Sequence, residues 1–172
     1  MTRSSDVARM TDLTALGYNT TGGTLFIDFA NITENSNFAA TVGFNSAVNY
    51  AQRFRWFSSG LLGTYYATNG TQLGSNLSGT RSSLGAAKAA TSYSYDGTTT
   101  TMLMSINGAN ATTTSSTTGA GAVATPNSLA FNNDNSASSW PSGSPNYASI
   151  ALRSLRFYPF AMPLSQMNGI TQ

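Results

Sequence analysis

Residues 88–106 read KAATSYSYDGTTTTMLMSI, and the fold turns on how this stretch is read. Ala89, Thr91, Tyr93 and Tyr95 alternate with Ala90, Ser92 and Ser94. That period of two belongs to a strand, which shows one set of side chains to a core and the other set to its opposite face. Asp96-Gly97 supplies residues that tolerate a tight turn, residues 101–106 (TMLMSI) return, and Asn107-Gly108 closes the return with a second turn signal. An antiparallel hairpin is predicted. Met102 and Met104 fall on one face of it and read as core filler.

The flanking segments are spelled in the same way, as short apolar runs between Gly, Asn, Ser and Thr clusters. After Gly22-Gly23, Leu25, Ile27 and Phe29 alternate with Phe26 and Asp28, which predicts a strand over 24–30 packed hard on one face. Strands are also expected over 38–44 (FAATVGF), over 53–57 (RFRWF) and from Thr64 to Ala67. In RFRWF, Phe54 and Trp56 share one face. Arg53 and Arg55 are expected on a solvated face, the alternatives being stacking or pairing with Asp28, Asp12 or a partner's carboxylates. Asn69-Gly70 marks a hairpin turn. Residues 109–125 (ANATTTSSTTGAGAVAT) carry no aromatic and little branching, so a long loop or poorly packed edge is expected. Leu129 and Phe131 make a brief strand.

Residues 147–158 (YASIALRSLRFY) are long enough for a helix, but Ile150 and Leu152 against Ala151, Arg153, Leu155 and Phe157 fit a strand, stopped by Pro159. Beyond Pro163, Leu164, Met167 and Ile170 recur at spacing three with Ser165 placed as an N-cap, which predicts one short helix. Ten to twelve strands and one helix imply an all-β, two-sheet antiparallel sandwich in one domain over residues 1–172.

Composition narrows the chemistry. Of 172 residues, 24 are Ser, 24 Thr and 16 Asn, while Lys, Arg, Asp and Glu together number 14. There is no His, no Cys and a single glutamate, Glu34. His-based triads, thiol nucleophiles and zinc or haem centres are therefore excluded. A retaining glycosidase needs two carboxyl groups about 5 Å apart. Asp28 and Glu34, strand and turn residues without a supporting acid, are a poor pair, so no enzymatic activity and no catalytic residue are expected. The eight basic residues form no run, and the net charge is +2, which is not the footprint of a nucleic-acid binder. No stretch approaches the length of a membrane span, and residues 1–6 lead into no apolar run, so export by a Sec signal is not expected.

Four stretches resemble a known family. They are TRSSDVARM at 2–10, GTLFIDF at 23–29, SYDGTTTTMLMSINGA at 94–109 and IALRSLRFYPFAMPLSQMNGIT at 150–171. Together they resemble the concanavalin A-like, or laminin G-like, β-sandwich domains of tailed-phage virion proteins. The closing motif is the most specific: a strand with paired arginines (Arg153, Arg156), an aromatic, a proline, Leu-Ser and a terminal helix. The resemblance implies a jelly-roll sandwich whose terminal helix covers its open end. It also implies a virion protein made in the host cytoplasm, with other virion proteins or copies of itself as partners, a trimer if in a fibre. The chain departs from the family at the rim. Asn146-Tyr147-Ala148-Ser149 replaces an Asn-Gly-His step, and Pro159-Phe160-Ala161-Met162-Pro163 replaces a Pro-Arg-Arg step.

Two non-enzymatic functions suit such a domain. One is host-surface or carbohydrate recognition through an aromatic platform with amide partners, for which Trp140, Tyr147, Asn132 and Asp134 are the candidate residues. The other is capsid or tail decoration, with sheet faces making protein contacts. A row of outward tyrosines drawn from Tyr65, Tyr66, Tyr93 and Tyr95 would serve either. No cofactor is assigned. Asn132 to Asn135 offer hard oxygen ligands to Ca²⁺, but one carboxylate gives that group little charge.

Overall fold

The computed structural model of the chain describes residues 8–10, 12–33, 41–46, 50–57, 60–66, 72–80, 86–110, 115–119, 121–131 and 149–172. Among them are twelve strands: β1 (Ala8–Met10), β2 (Gly22–Thr33), β3 (Thr41–Ser46), β4 (Tyr50–Phe57), β5 (Gly60–Tyr66), β6 (Gln72–Thr80), β7 (Ala87–Tyr95), β8 (Thr99–Ile106), β9 (Ala109–Asn110), β10 (Ser115–Thr118), β11 (Pro126–Phe131) and β12 (Ser149–Tyr158). A 3₁₀ turn spans Thr14–Leu16 and the helix α1 spans Leu164–Ile170. Sheet I runs β1-β11-β3-β4-β5-β6, and sheet II runs β10-β8-β7-β2-β12, with β9 beside β8. Every pairing is antiparallel. The chain is a two-sheet antiparallel β-sandwich with a short C-terminal helix.

The β7–β8 hairpin forms as its sequence dictates. Asp96 Oδ1 accepts from the N–H groups of Thr98 (2.9 Å) and Thr99 (2.7 Å), and Gly97 takes φ +99°. Those two donors, Thr99 first, hold the Asp96 carboxyl below the usual carboxylate range. Asn107 (φ 49°) and Gly108 (φ 76°) both sit in the left-handed region, the signature of a primed turn. The inner face of this hairpin, Ala89, Tyr93, Met102 and Met104, meets Leu25, Ile27 and Phe29 of β2 and, across the sandwich, Val42, Phe44 and Phe54 of sheet I. Tyr95 points the same way as Tyr93 and closes on its own turn, donating to Gly97 O at 2.7 Å. Neither tyrosine therefore joins an outward row.

Four further expectations need correction. Arg53 is not on a solvated face: it is 3% exposed, opposite Gly43 in the register. Asp28 is not its partner either, because Asp28 lies in the other sheet and faces away from the core beside Arg153, at 3.9 Å. In β12 the register shifts between Leu152 and Ser154, so Arg153 is the extra residue of a β-bulge. That bulge turns Leu155 and Phe157 to the same side as Leu152, and all three pack on the core, whereas unbroken alternation had divided them. Residues 115–118 do form an edge strand, but Val123 and Ala124, in a stretch expected to bury little, are core residues.

The C-terminal segment is also placed differently. Pro163 is the N-cap of α1 and Ser165 lies inside the first turn. The helix does not close an end of the sandwich. It lies on the outer face of sheet II, where Met162 and Met167 pack with Phe26 and Ala90. Small hydroxyls fix it there. Thr24 Oγ1 donates to Phe160 O and accepts from Met162 N, both at 2.9 Å, and Ser92 Oγ donates to Met162 O at 3.1 Å. Ser105 Oγ contacts Asn168 Oδ1 (2.7 Å) and Thr171 Oγ1 (2.8 Å). Buried hydroxyls of this kind are tolerated because each has a partner, and they give part of the Ser/Thr-rich composition a structural purpose.

Candidate functional site

The residues singled out from sequence, Trp140, Tyr147, Asn132 and Asp134, lie outside the described residues, as do Asn133, Asn135 and Glu34. Their loop joins Phe131 to Ser149, and Ser149 pairs with Thr33 at one end of β12. The geometry that stands out among the described residues lies at the other end of that ten-residue strand, about 30 Å away at strand rise.

Four rings from four separate segments meet there. Tyr18 stacks on Phe157 (centroids 5.0 Å, 14°), and Phe44 sets its edge to both, at 5.0 Å and 5.2 Å. Tyr93 lies 6.2 Å from Tyr18. A Cβ on Gly23 would come within 2.9 Å of the Phe157 ring and of the Tyr93 hydroxyl, so glycine is what lets the cluster close over β2. Tyr93 Oη donates to Asn19 O, and Asn19 Oδ1 accepts from Thr21 N at 3.0 Å. The segment over the core is thereby locked into a turn.

Burial pushes the Tyr93 phenol well above its ordinary range, with the neighbouring Tyr18 side chain acting in the opposite sense. An acid whose folded pKa lies above its unfolded value of about 10 favours its neutral form in the fold. Its contribution is complete below pH 10 and is lost as pH climbs toward the raised value. Denaturant melts should therefore show stability falling above pH 10, and Tyr93→Phe should flatten that decline.

Above the cluster the surface opens into a recess of about 380 Å³ lined by Leu13, Thr14, Gly17, Tyr18, Thr20, Thr125 and Pro126. Three threonines and no charged group line it, and the Tyr18 hydroxyl is buried beneath. Gly17, in the left-handed region at φ 59°, ends the 3₁₀ turn on one side and faces Pro159 on the other. Beyond Pro159 stands Phe160, the one large hydrophobic among the described residues that is strongly exposed, at 52%. It meets Tyr158 edge-on at 6.0 Å. Along the outward side of β12, Arg156 is exposed with its guanidinium 5.9 Å over the Phe26 ring.

This rim was not read from sequence. A signal was present: Phe160 falls between Pro159 and Pro163, where no strand register can bury it. Chemically the rim can stack, donate hydrogen bonds and pair with an anion. Among the described residues no group of three His, Cys, Asp or Glu side chains converges, and no helix is long and apolar enough to cross a membrane.

The sandwich itself has counterparts of known structure. The binding domain of botulinum neurotoxin DC in complex with rat synaptotagmin II superposes with a TM-score of 0.64 at 11% identity, over 98% of this chain and 40% of that one. The same binding domain in complex with SialylT gives 0.61 at 10%, over 95% and 38%. The receptor-binding domain of type G gives 0.58 at 8%, over 87% and 38%. The chain thus spans about two-fifths of these structures, and at such identities the likeness is one of fold alone. No protein-family model and no curated protein matches the sequence.

Proposed function

We propose that the chain is a non-enzymatic attachment domain of a tailed-phage virion protein, of the concanavalin A-like class its closing motif resembles, and that it holds host-surface carbohydrate. One observation carries this reading: Phe160 projects at 52% exposure against Tyr158, and its chain neighbour Pro159 faces Gly17 on the wall of an uncharged, hydroxyl-bearing recess. An aromatic face next to neutral hydrogen-bonding groups is the arrangement that takes up a sugar ring. That the structural counterparts are binding domains, one of them in complex with SialylT, agrees with it. Trp140, Tyr147, Asn132 and Asp134 are proposed as a second contact. The competing reading is a decoration domain that buries a sheet face against neighbours; a row of outward tyrosines, which Tyr93 does not join, would have served either.

A glycan array and binding to host cells divide the two. Attachment predicts saturable binding that weakens about tenfold or more in Phe160→Ala, in Trp140→Ala, or in both. Silence on every glycan and cell surface, from a protein that forms stable trimers, assigns it to the scaffold instead.

A further inference from the structure

We propose that the outward side of β12, from Arg153 to Phe160, binds a polysaccharide that carries carboxylates. This rests on the attachment reading and adds the class of sugar. Arg156 anchors the proposed contact. Its guanidinium is exposed and lies 5.9 Å over the Phe26 ring, so one of its faces is already occupied and its position restrained. Of the other basic groups near it, Arg153 lies 3.9 Å from Asp28, an ion-pair distance without a hydrogen bond, and Lys88 Nζ donates to Gln172 O. Among the described residues Arg156 has no carboxylate partner, and the planar fork of N–H donors it presents matches a carboxylate's two oxygens.

Aromatic surface lies beside that cation. Tyr158 follows Arg156 at the next outward position of the strand, about 7 Å on. Phe160 then extends the row, edge-on to Tyr158. A cation and a ring at this spacing suit one acidic pyranose residue, whose carboxylate meets the fork while its C–H face meets a ring. Access is available from the side, because β12 is the last strand of sheet II among the described residues. A nucleic acid would need a row of free cations, and this side of the strand offers only Arg156 and, beside Asp28, Arg153.

The test titrates the whole chain with polygalacturonate, alginate and hyaluronate, and with their methyl-esterified or carboxyl-reduced forms. Polyglutamate is the control for a polyanion that is not a sugar. At least one acidic polysaccharide should bind about tenfold or more tightly than its neutral form, with affinity that falls as salt rises. Arg156→Gln should erase that preference by weakening the acidic form about tenfold and the neutral form much less, whereas Phe160→Ala should weaken both alike. If Arg156→Gln misfolds, Arg156→Lys takes its place: it keeps the charge, loses the fork and should retain only part of the preference. Equal binding of acidic and neutral forms, polyglutamate binding as tightly as the sugars, an unchanged preference in the arginine variants, or silence across the acidic panel would each overturn the proposal. Binding confined to neutral glycans would leave the attachment reading standing and remove this one.

Discussion

Gly43→Ala is expected to cost about 3 kcal/mol or more, near or beyond the upper end of what one added methyl does in a packed interior. A Cβ at this position would lie 2.4 Å from Arg53 Cα, Arg53 Cβ and Gln52 O. Two of those atoms belong to backbone, which cannot rotate aside, so β3 would have to part from β4 along the register that also pairs Val42 with Phe54. Both of those residues are fully buried, and Gln52 reaches across the sandwich to donate to Thr91 O at 2.9 Å. The strain would therefore spread into the contact between sheets. Urea melts of the variant should show a lower midpoint at unchanged slope. A change below about 0.5 kcal/mol would mean that these strands do not pair as described.

Ending the chain after Tyr158 is the second large perturbation. It removes Met162 and Met167, the latter fully buried, and uncovers Phe26 and Ala90 on the outer face of sheet II. At roughly 1.5–3 kcal/mol for each buried large apolar side chain, the two methionines account for about 5 kcal/mol. That is comparable with the whole stability of many domains. The hydroxyls of Thr24, Ser92 and Ser105 lose their partners at the same stroke, and a continuous apolar patch opens to solvent. The truncated chain should be insoluble, or soluble only with a lowered melting point and bound hydrophobic dye. Met167→Ala gives the graded version, a loss of about 2–5 kcal/mol. A truncated protein that melts like the full chain would show that the segment is not part of the fold.

What the sequence disclosed and what it concealed have a common physical basis. Local rules carried the β7–β8 hairpin, because Asp-Gly and Asn-Gly specify backbone angles whatever surrounds them. They also favoured a strand over a helix for 149–158. They failed where the answer depends on a partner remote in sequence. The bulge at Arg153 is set by the pairing of β12 with β2, and without it Leu155 and Phe157 count to the wrong face. Arg53 reads as solvated until Gly43 is known to lie opposite. Val123 and Ala124 look like loop because each is small, and they are buried only because the sandwich closes over them. Tyr18, Phe44, Tyr93 and Phe157 are scattered over 140 positions, and only the fold assembles them. The rim site was partly legible in FYPFAMP, where two prolines strand an aromatic outside any register, but Tyr158 and Arg156 acquire their roles only from the outward side of an edge strand.

At the centre of the account is a molecule that holds carbohydrate and leaves it whole. Incubating the purified chain with the glycans it retains and sizing them afterwards tests this most directly. Saturable retention is expected, with every chain length unchanged after prolonged incubation. Progressive shortening of the bound polysaccharide, lost in Glu34→Gln, would contradict it.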